Sequence, residues 1–260
     1  MGFIYEGTGV TKTPVIRITK ETAEIAITLN KSFADLTNEV ITVSIESAGK
    51  NTPLMTRMNL KEVIALSAFA ESQPIQVQGA VFVATIPLGL ESAIILQEND
   101  AILLQLEGLK AADTYSIMAI EDFEATHSFV EFETKTSLKG EQSKRFDIEN
   151  AEHLCIKNFT TLNEVGLHVE TDKGIIEKRF LPQELVLMSR QVQPILSFNT
   201  AGAVIEGFTD MVVLPVQSVS GITLYKDADK DAVNITLMKF AEMQRSGNKG
   251  LFGGKVEFPR

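Results

Sequence analysis

The sequence contains no tryptophan, one cysteine, three histidines and three tyrosines in 260 residues. Each shortage removes a class of protein. One cysteine, Cys155, closes no intrachain disulfide, so the fold needs no oxidising compartment. Sugar-binding faces favour Trp and Tyr, whose flat rings carry a polar handle, whereas the 15 phenylalanines present here suit a core. His127, His153 and His168 form no His-x-His pair, so the ligand set of a metal-binding cupin is missing. Positive charge is scarce as well. Lys and Arg number 24 against 34 Asp and Glu, a net charge of −10, which argues against gripping phosphate backbones as the main task. The most apolar stretches, such as Ala101-Ile102-Leu103-Leu104, are too short for a membrane-spanning helix, and Met1–Glu6 reads neither as a signal peptide nor as a myristoylation site. The expectation is a soluble protein made in cytoplasm.

Motifs of catalysis are incomplete wherever they begin. No Gly-x-Ser-x-Gly elbow occurs. His153 lies two residues from Cys155 on one face of a strand-like segment, but no third group is identifiable to orient a Cys–His pair. His168 alternates with Leu167 and Val169 and is expected on the surface of a strand. Gly7-Thr8-Gly9 lacks the third glycine of a dinucleotide fingerprint. Gly250-Leu251-Phe252-Gly253-Gly254-Lys255 ends like a P-loop, yet Lys249 replaces its first glycine and Val256 its Ser or Thr. Asp227, Asp229 and Asp231 open like a calcium loop, but Ala232 and Met238 stand where Gly and Glu are needed. A solvated turn is expected there, with a loose calcium site at a subunit contact as the alternative. No catalytic, cofactor-binding or metal-binding residue is therefore expected, and no cofactor.

What the sequence does have is an internal repeat. Asn38-Glu39-Val40 returns as Asn163-Glu164-Val165, and Leu60-Lys61-Glu62-Val63-Ile64-Ala65-Leu66-Ser67 as Pro182-Gln183-Glu184-Leu185-Val186-Leu187-Met188-Ser189. Gln73-Pro74-Ile75 matches Gln193-Pro194-Ile195, Gly79-Ala80-Val81 matches Gly202-Ala203-Val204, and the strand after Asp113 matches the strand after Asp231. Short matches recur by chance, but the order of these landmarks is shared by both halves. Most segments between them alternate with period two, as Ile41, Val43 and Ile45 do against Thr42, Ser44 and Glu46, and turn pairs such as Ala48-Gly49 and Ser220-Gly221 separate them. One helix interrupts each copy, capped by Asn59 in the first and opened by Pro182 in the second. The fold class expected is all-β: two tandem eight-stranded jelly rolls, a double jelly roll, with one short helix in each. The expected boundaries are an N-terminal arm at 1–11, jelly rolls at 12–136 and 144–244, a linker at 137–143, and a C-terminal arm at 245–260. That last arm sets Arg245, Lys249, Lys255 and Arg260 against Glu257, and it is expected to reach a neighbouring subunit or the inner side of a shell.

This architecture resembles the major capsid proteins of tailless icosahedral viruses with an internal membrane, corticovirus-like and related bacteriophages among them. Arg57–Ile64 and Arg179–Val186 carry the resemblance best. It implies a homotrimer whose six jelly rolls make a near-hexagonal capsomer and tile a capsid lattice within the virion, assembled in host cytoplasm. The implied partners are other copies of the chain, other capsid proteins such as a penton, and an internal viral membrane, with no specific nucleic acid. The rivals are a glycan-acting enzyme on two sandwiches, a carbohydrate-binding or adhesion module, and a sliding clamp, which would need long basic helices.

Overall fold

The computed structural model describes residues 2–71, 76–78, 81–90, 92–122, 124–192, 196–198, 204–206 and 210–242. The first half runs β1 (Gly2–Thr8), β2 (Ile16–Ile18), β3 (Glu24–Leu29), β4 (Val40–Ser47), β5 (Lys50–Asn59), α1 (Leu60–Ala70), β6 (Gln76–Gln78), β7 (Val81–Pro87), β8 (Ala93–Ile94), β9 (Ala101–Glu107), β10 (Thr114–Ile120) and β11 (Ala125–Thr126). The second runs β12 (Ser128–Ser137), β13 (Ser143–Asp147), β14 (Ala151–Lys157), β15 (Glu164–Thr171), β16 (Gly174–Phe180), α2 (Pro182–Val192), β17 (Leu196–Phe198), β18 (Val204–Glu206), β19 (Met211–Pro215), β20 (Val219–Tyr225) and β21 (Val233–Glu242).

The strand order makes two jelly rolls. In the first, sheet β1-β10-β3-β7 covers sheet β2-β9-β4-β5; in the second, β12-β21-β14-β19 covers β13-β20-β15-β16. Alternation drives this packing: Ile41, Val43 and Ile45 of β4 are wholly buried while Thr42 and Ser44 between them are not. Burying each such side chain contributes about 1.5–3 kcal/mol. The matching strands hold matching places. β3 pairs β7 and β10, and β14 pairs β19 and β21, with Glu24, Pro87 and Ile120 aligned where His153, Pro215 and Met238 align in the second copy. The two jelly rolls share one eight-stranded sheet, because β5 lies beside β12 through the parallel pair Met55 and Phe132.

Three expected boundaries change. Gly2–Thr8, expected in an arm, is the edge strand that pairs antiparallel with β10 and opens the first jelly roll. Ser128–Ser137 opens the second, pairing with β21 over its whole length as β1 pairs with β10. The expected linker at 137–143 is instead a tight turn between β12 and β13. Gly140 takes φ +94 there, a conformation that only glycine adopts without strain, and Glu141 accepts from the Leu138 amide at 2.8 Å. The connection between jelly rolls falls just before β12. These opening strands escape a repeat search because β1 and β12 are alike only in short fragments such as Phe3-Ile4 and Phe129-Val130; their partners across the sheet define them. The C-terminal arm at 245–260 lies outside the described residues.

Candidate functional site: the seam between the two jelly rolls

The three histidines lie on separate segments of the chain. His127 is exposed before β12, His153 and Cys155 stand on β14, and His168 is on β15. Cys155 is wholly buried, with its thiol 3.8 Å from the Met211 sulfur; burial, then the nearby Glu62 and Asp210 carboxylates, push the thiol up, away from the nucleophilic form. His153 packs edge-on against Phe69 at 5.6 Å, and burial pushes its pKa down. The two residues share a face of β14, as their spacing requires, but serve a contact between domains. His168 corrects an expectation: it is buried, with Nε2 2.7 Å from the Thr223 hydroxyl. β15 runs between β16 and β20, and His168 fills the space over Gly221, so flanking strands shield even its outer face. Asp227, Asp229 and Asp231 lie in an exposed turn where Asp227 accepts from Asn163 at 2.9 Å.

One buried polar network lies where α1 meets the second jelly roll. The helix LKEVIALSAFA is apolar nearly all round, the pattern of a helix buried on more than one face. Leu60, Val63, Ile64, Leu66 and Phe69 join Phe132, Cys155, Met211, Val213 and Met238 in one buried cluster. Thus the outer face of sheet β12-β21-β14-β19 becomes part of the first core. Alternate residues of the same strands, Leu154, Ile156, Val212, Ile235 and Leu237, fill the second core. Both charged residues of α1 are satisfied across the seam. Lys61 donates to Asp210 at 2.9 Å and lies 5.6 Å over the Phe33 ring. Glu62, buried to 2% exposure, accepts from the Thr236 hydroxyl at 2.5 Å and lies 3.5 Å from the Lys157 ammonium. Asn59 caps the helix by accepting from the Glu62 amide at 3.3 Å.

A cleft of about 440 Å³ opens past the end of α1, between Glu24, Glu71 and Pro87 of the first half and Val130, Met238 and Phe240 of the second. Burial, reinforced by Glu24, pushes the Glu71 carboxyl up to about 7; burial and Asp122 raise Glu24 as well. A carboxyl poised near 7 suits a general acid, but neither Trp nor Tyr lines the cleft to hold a sugar. Among the described residues, no three His, Cys, Asp or Glu side chains converge as metal ligands.

Sequence reasoning did not single out the surface of β16 and α2. Ile175, Ile176, Leu181 and Leu187 are all exposed along this one stretch of chain, Leu187 at 59%. The difference in character between α1 and the amphipathic α2 is the sequence signal that marks it.

The fold is the double jelly roll found in major capsid proteins of viruses. The structure aligns with the crystal structure of the STIV MCP at a TM-score of 0.58 and 10% identity, over 91% of this chain and 93% of that one. It aligns with a chain of the atomic structure of Sulfolobus Turreted Icosahedral Virus at a TM-score of 0.54 and 11% identity, over 93% and 91%. These matches concern a Sulfolobus virus and do not bear on the narrower corticovirus-like resemblance. No protein-family model matches the chain, and no curated protein sequence matches it significantly.

Proposed function

We propose that this chain is the major capsid protein of an icosahedral virus, three copies associating into a capsomer with six jelly rolls. The observation that carries the reading is that both jelly rolls align together with a viral capsid protein over nine-tenths of both chains. The seam supports it physically. Two like units meet through unlike faces, a helix on one and a sheet on the other, and head-to-tail contacts of that kind close into rings when repeated. Three duplicated chains then supply a near-hexagonal outline with three subunits. A net charge of −10 keeps the free protein soluble before assembly. In this reading the protein resides in the virion, its partners are its own copies and other shell proteins such as a penton, and an internal membrane lies beneath. It performs no catalysis. Light scattering should give a mass of three chains, and negative-stain microscopy should show hexagonal capsomers or closed particles. A strict monomer at every concentration would sink the proposal.

A further inference from the structure

We infer that Asn158 is the acceptor of an N-linked sugar, singled out by its place in the fold from two other triplets of the same pattern.

Asn-x-Ser/Thr is the acceptor pattern for N-linked glycosylation when the middle residue is not proline. The chain has three such triplets: Asn30-Lys31-Ser32, Asn158-Phe159-Thr160 and Asn234-Ile235-Thr236. The first two hold matching places in the two jelly rolls. Asn30 directly follows β3 and Asn158 directly follows β14, its counterpart; each leads into a one-turn 3-10 helix, Phe33–Asp35 in one copy and Phe159–Thr161 in the other. Triplets this short recur by chance, so the fold decides which of them a bulky, hydrated sugar can join.

Two are closed. The Asn30 side chain is used at both ends, Oδ1 accepting from the Thr114 amide at 2.8 Å and Nδ2 donating to the Ala112 carbonyl at 3.3 Å. Ser32 is occupied as well: its hydroxyl donates to the Asp35 carboxylate at 2.7 Å and caps the 3-10 helix. Asn234 Oδ1 accepts from the Thr136 hydroxyl at 2.8 Å, and Thr236 is wholly buried against Glu62. A sugar on either asparagine would cost those bonds.

The third is open. Asn158 and Thr160 are both exposed, while Phe159 between them is buried and anchors the turn in the second core. The Asn158 amide donates to the Asp210 carbonyl at 2.9 Å, which fixes the backbone, and its side chain makes no capping bond. Its φ of +57 favours asparagine among non-glycine residues, so the turn alone accounts for that residue. The turn does not account for Thr160. Its match in the first copy, Ser32, is a cap, whereas here the neighbouring Thr161 makes the local bond, to the Asn158 carbonyl at 2.8 Å, and Thr160 faces water.

The donor is a sugar activated as a diphosphate ester, on a nucleotide or on a lipid, and brought by a transferase. Asn158 Nδ2 bonds to the anomeric carbon as the bond from that carbon to the diphosphate oxygen breaks. The electron pair leaves with the diphosphate, and Nδ2 gives one proton to a base of the transferase. The exposed Thr160 hydroxyl offers the transferase a second polar handle. A glycan here keeps this end of the molecule facing solvent in any assembly.

Intact-mass measurement and peptide mapping of the chain purified from its natural source should show whole sugar residues added at Asn158 and none at Asn30 or Asn234. Asn158→Gln and Thr160→Val, produced in the same cells, should each return the chain to its bare sequence mass, and Thr160→Ser should keep the sugar. Thr160→Val leaves the left-handed residue in place, and a native circular dichroism spectrum separates a lost acceptor from a misfolded chain. Blocking lipid-linked sugar synthesis in the producing culture abolishes the addition if the diphosphate is on a lipid and spares it if on a nucleotide. A native chain at its bare sequence mass, a sugar on Asn30 or Asn234 in place of Asn158, or a sugar persisting at Asn158 in Thr160→Val would overturn the inference. None of these outcomes depends on how many chains associate.

Discussion

Glu62 and Thr236, 174 residues apart in the chain, are joined by a 2.5 Å hydrogen bond between the helix of one jelly roll and strand β21 of the other. With Lys157 on its other oxygen, Glu62 is a buried charge satisfied wholly across the seam. Its removal is costly because its partners lose theirs.

Glu62→Ala should therefore destabilise the chain by about 3 kcal/mol, the usual consequence of breaking a buried pair and stranding a hydroxyl. Glu62→Gln, which keeps an acceptor for Thr236, should cost roughly 1 kcal/mol. Urea denaturation of both variants measures the difference. Equal losses would mean that shape, rather than the hydrogen bond, matters at this position.

Lys31 clips the first jelly roll by bridging Glu39 and Asp113, the latter at 2.8 Å. Burial alone would raise both carboxyl pKa values, but hydrogen bonds from Lys31 and from backbone amides, with the attraction of nearby lysine charge, together outweigh it and hold both below their ordinary range; burial would lower Lys31, but its contacts with both carboxylates raise it. The carboxylates thus contribute stability that is present above their unfolded values of 4.5 and 3.8 and lost as pH falls through the lower folded ones. Lysine's share is present below 10.5 and lost as pH rises through its folded value. Stability measured against pH should show the acid loss, and Lys31→Met should cost about 3 kcal/mol at neutral pH by leaving two buried carboxylates together.

Glu71 behaves oppositely. Its folded pKa of about 7 exceeds the ordinary 4.5, so the folded state holds the proton more tightly. That contribution is complete below 4.5 and lost as pH rises through 7. Glu71→Gln should make the protein more stable than the native chain at pH 8 by on the order of 1–2 kcal/mol, a figure reduced for the partial exposure of the group. Near pH 4.5 the two should denature together. A constant difference across the range would place the effect in packing instead.

The repeat, both helices and the jelly-roll class were legible in the sequence because they depend on local alternation and caps. Ile41, Val43 and Ile45 announce a half-buried strand wherever they lie in a chain. The roles of β1 and β12 were not legible, since an opening strand is recognised by its partner: Ser128–Ser137 shows its place only when β21 is set beside it. His168 misled for the same reason. Its alternation correctly assigned it to the outer face, and only the neighbours β16 and β20 bury it. The seam itself was hidden in one contrast, an all-apolar α1 against an amphipathic α2. A repeat search averages that contrast away by seeking likeness.

The shared eight-stranded sheet also imposes an order in time. A growing chain can close the first sandwich once β10 has been made, but the layer on which α1 rests is completed only when Val233–Glu242, the last described strand, slots between β12 and β14. Until β21 is in place, Val63, Ile64, Leu66 and Phe69 lack part of their surroundings, and the nascent chain presents an adhesive, unfinished surface. Chains cut short before Val233 would stick to one another rather than persist as well-folded halves, so this late strand ties completion of the first core to completion of the second jelly roll.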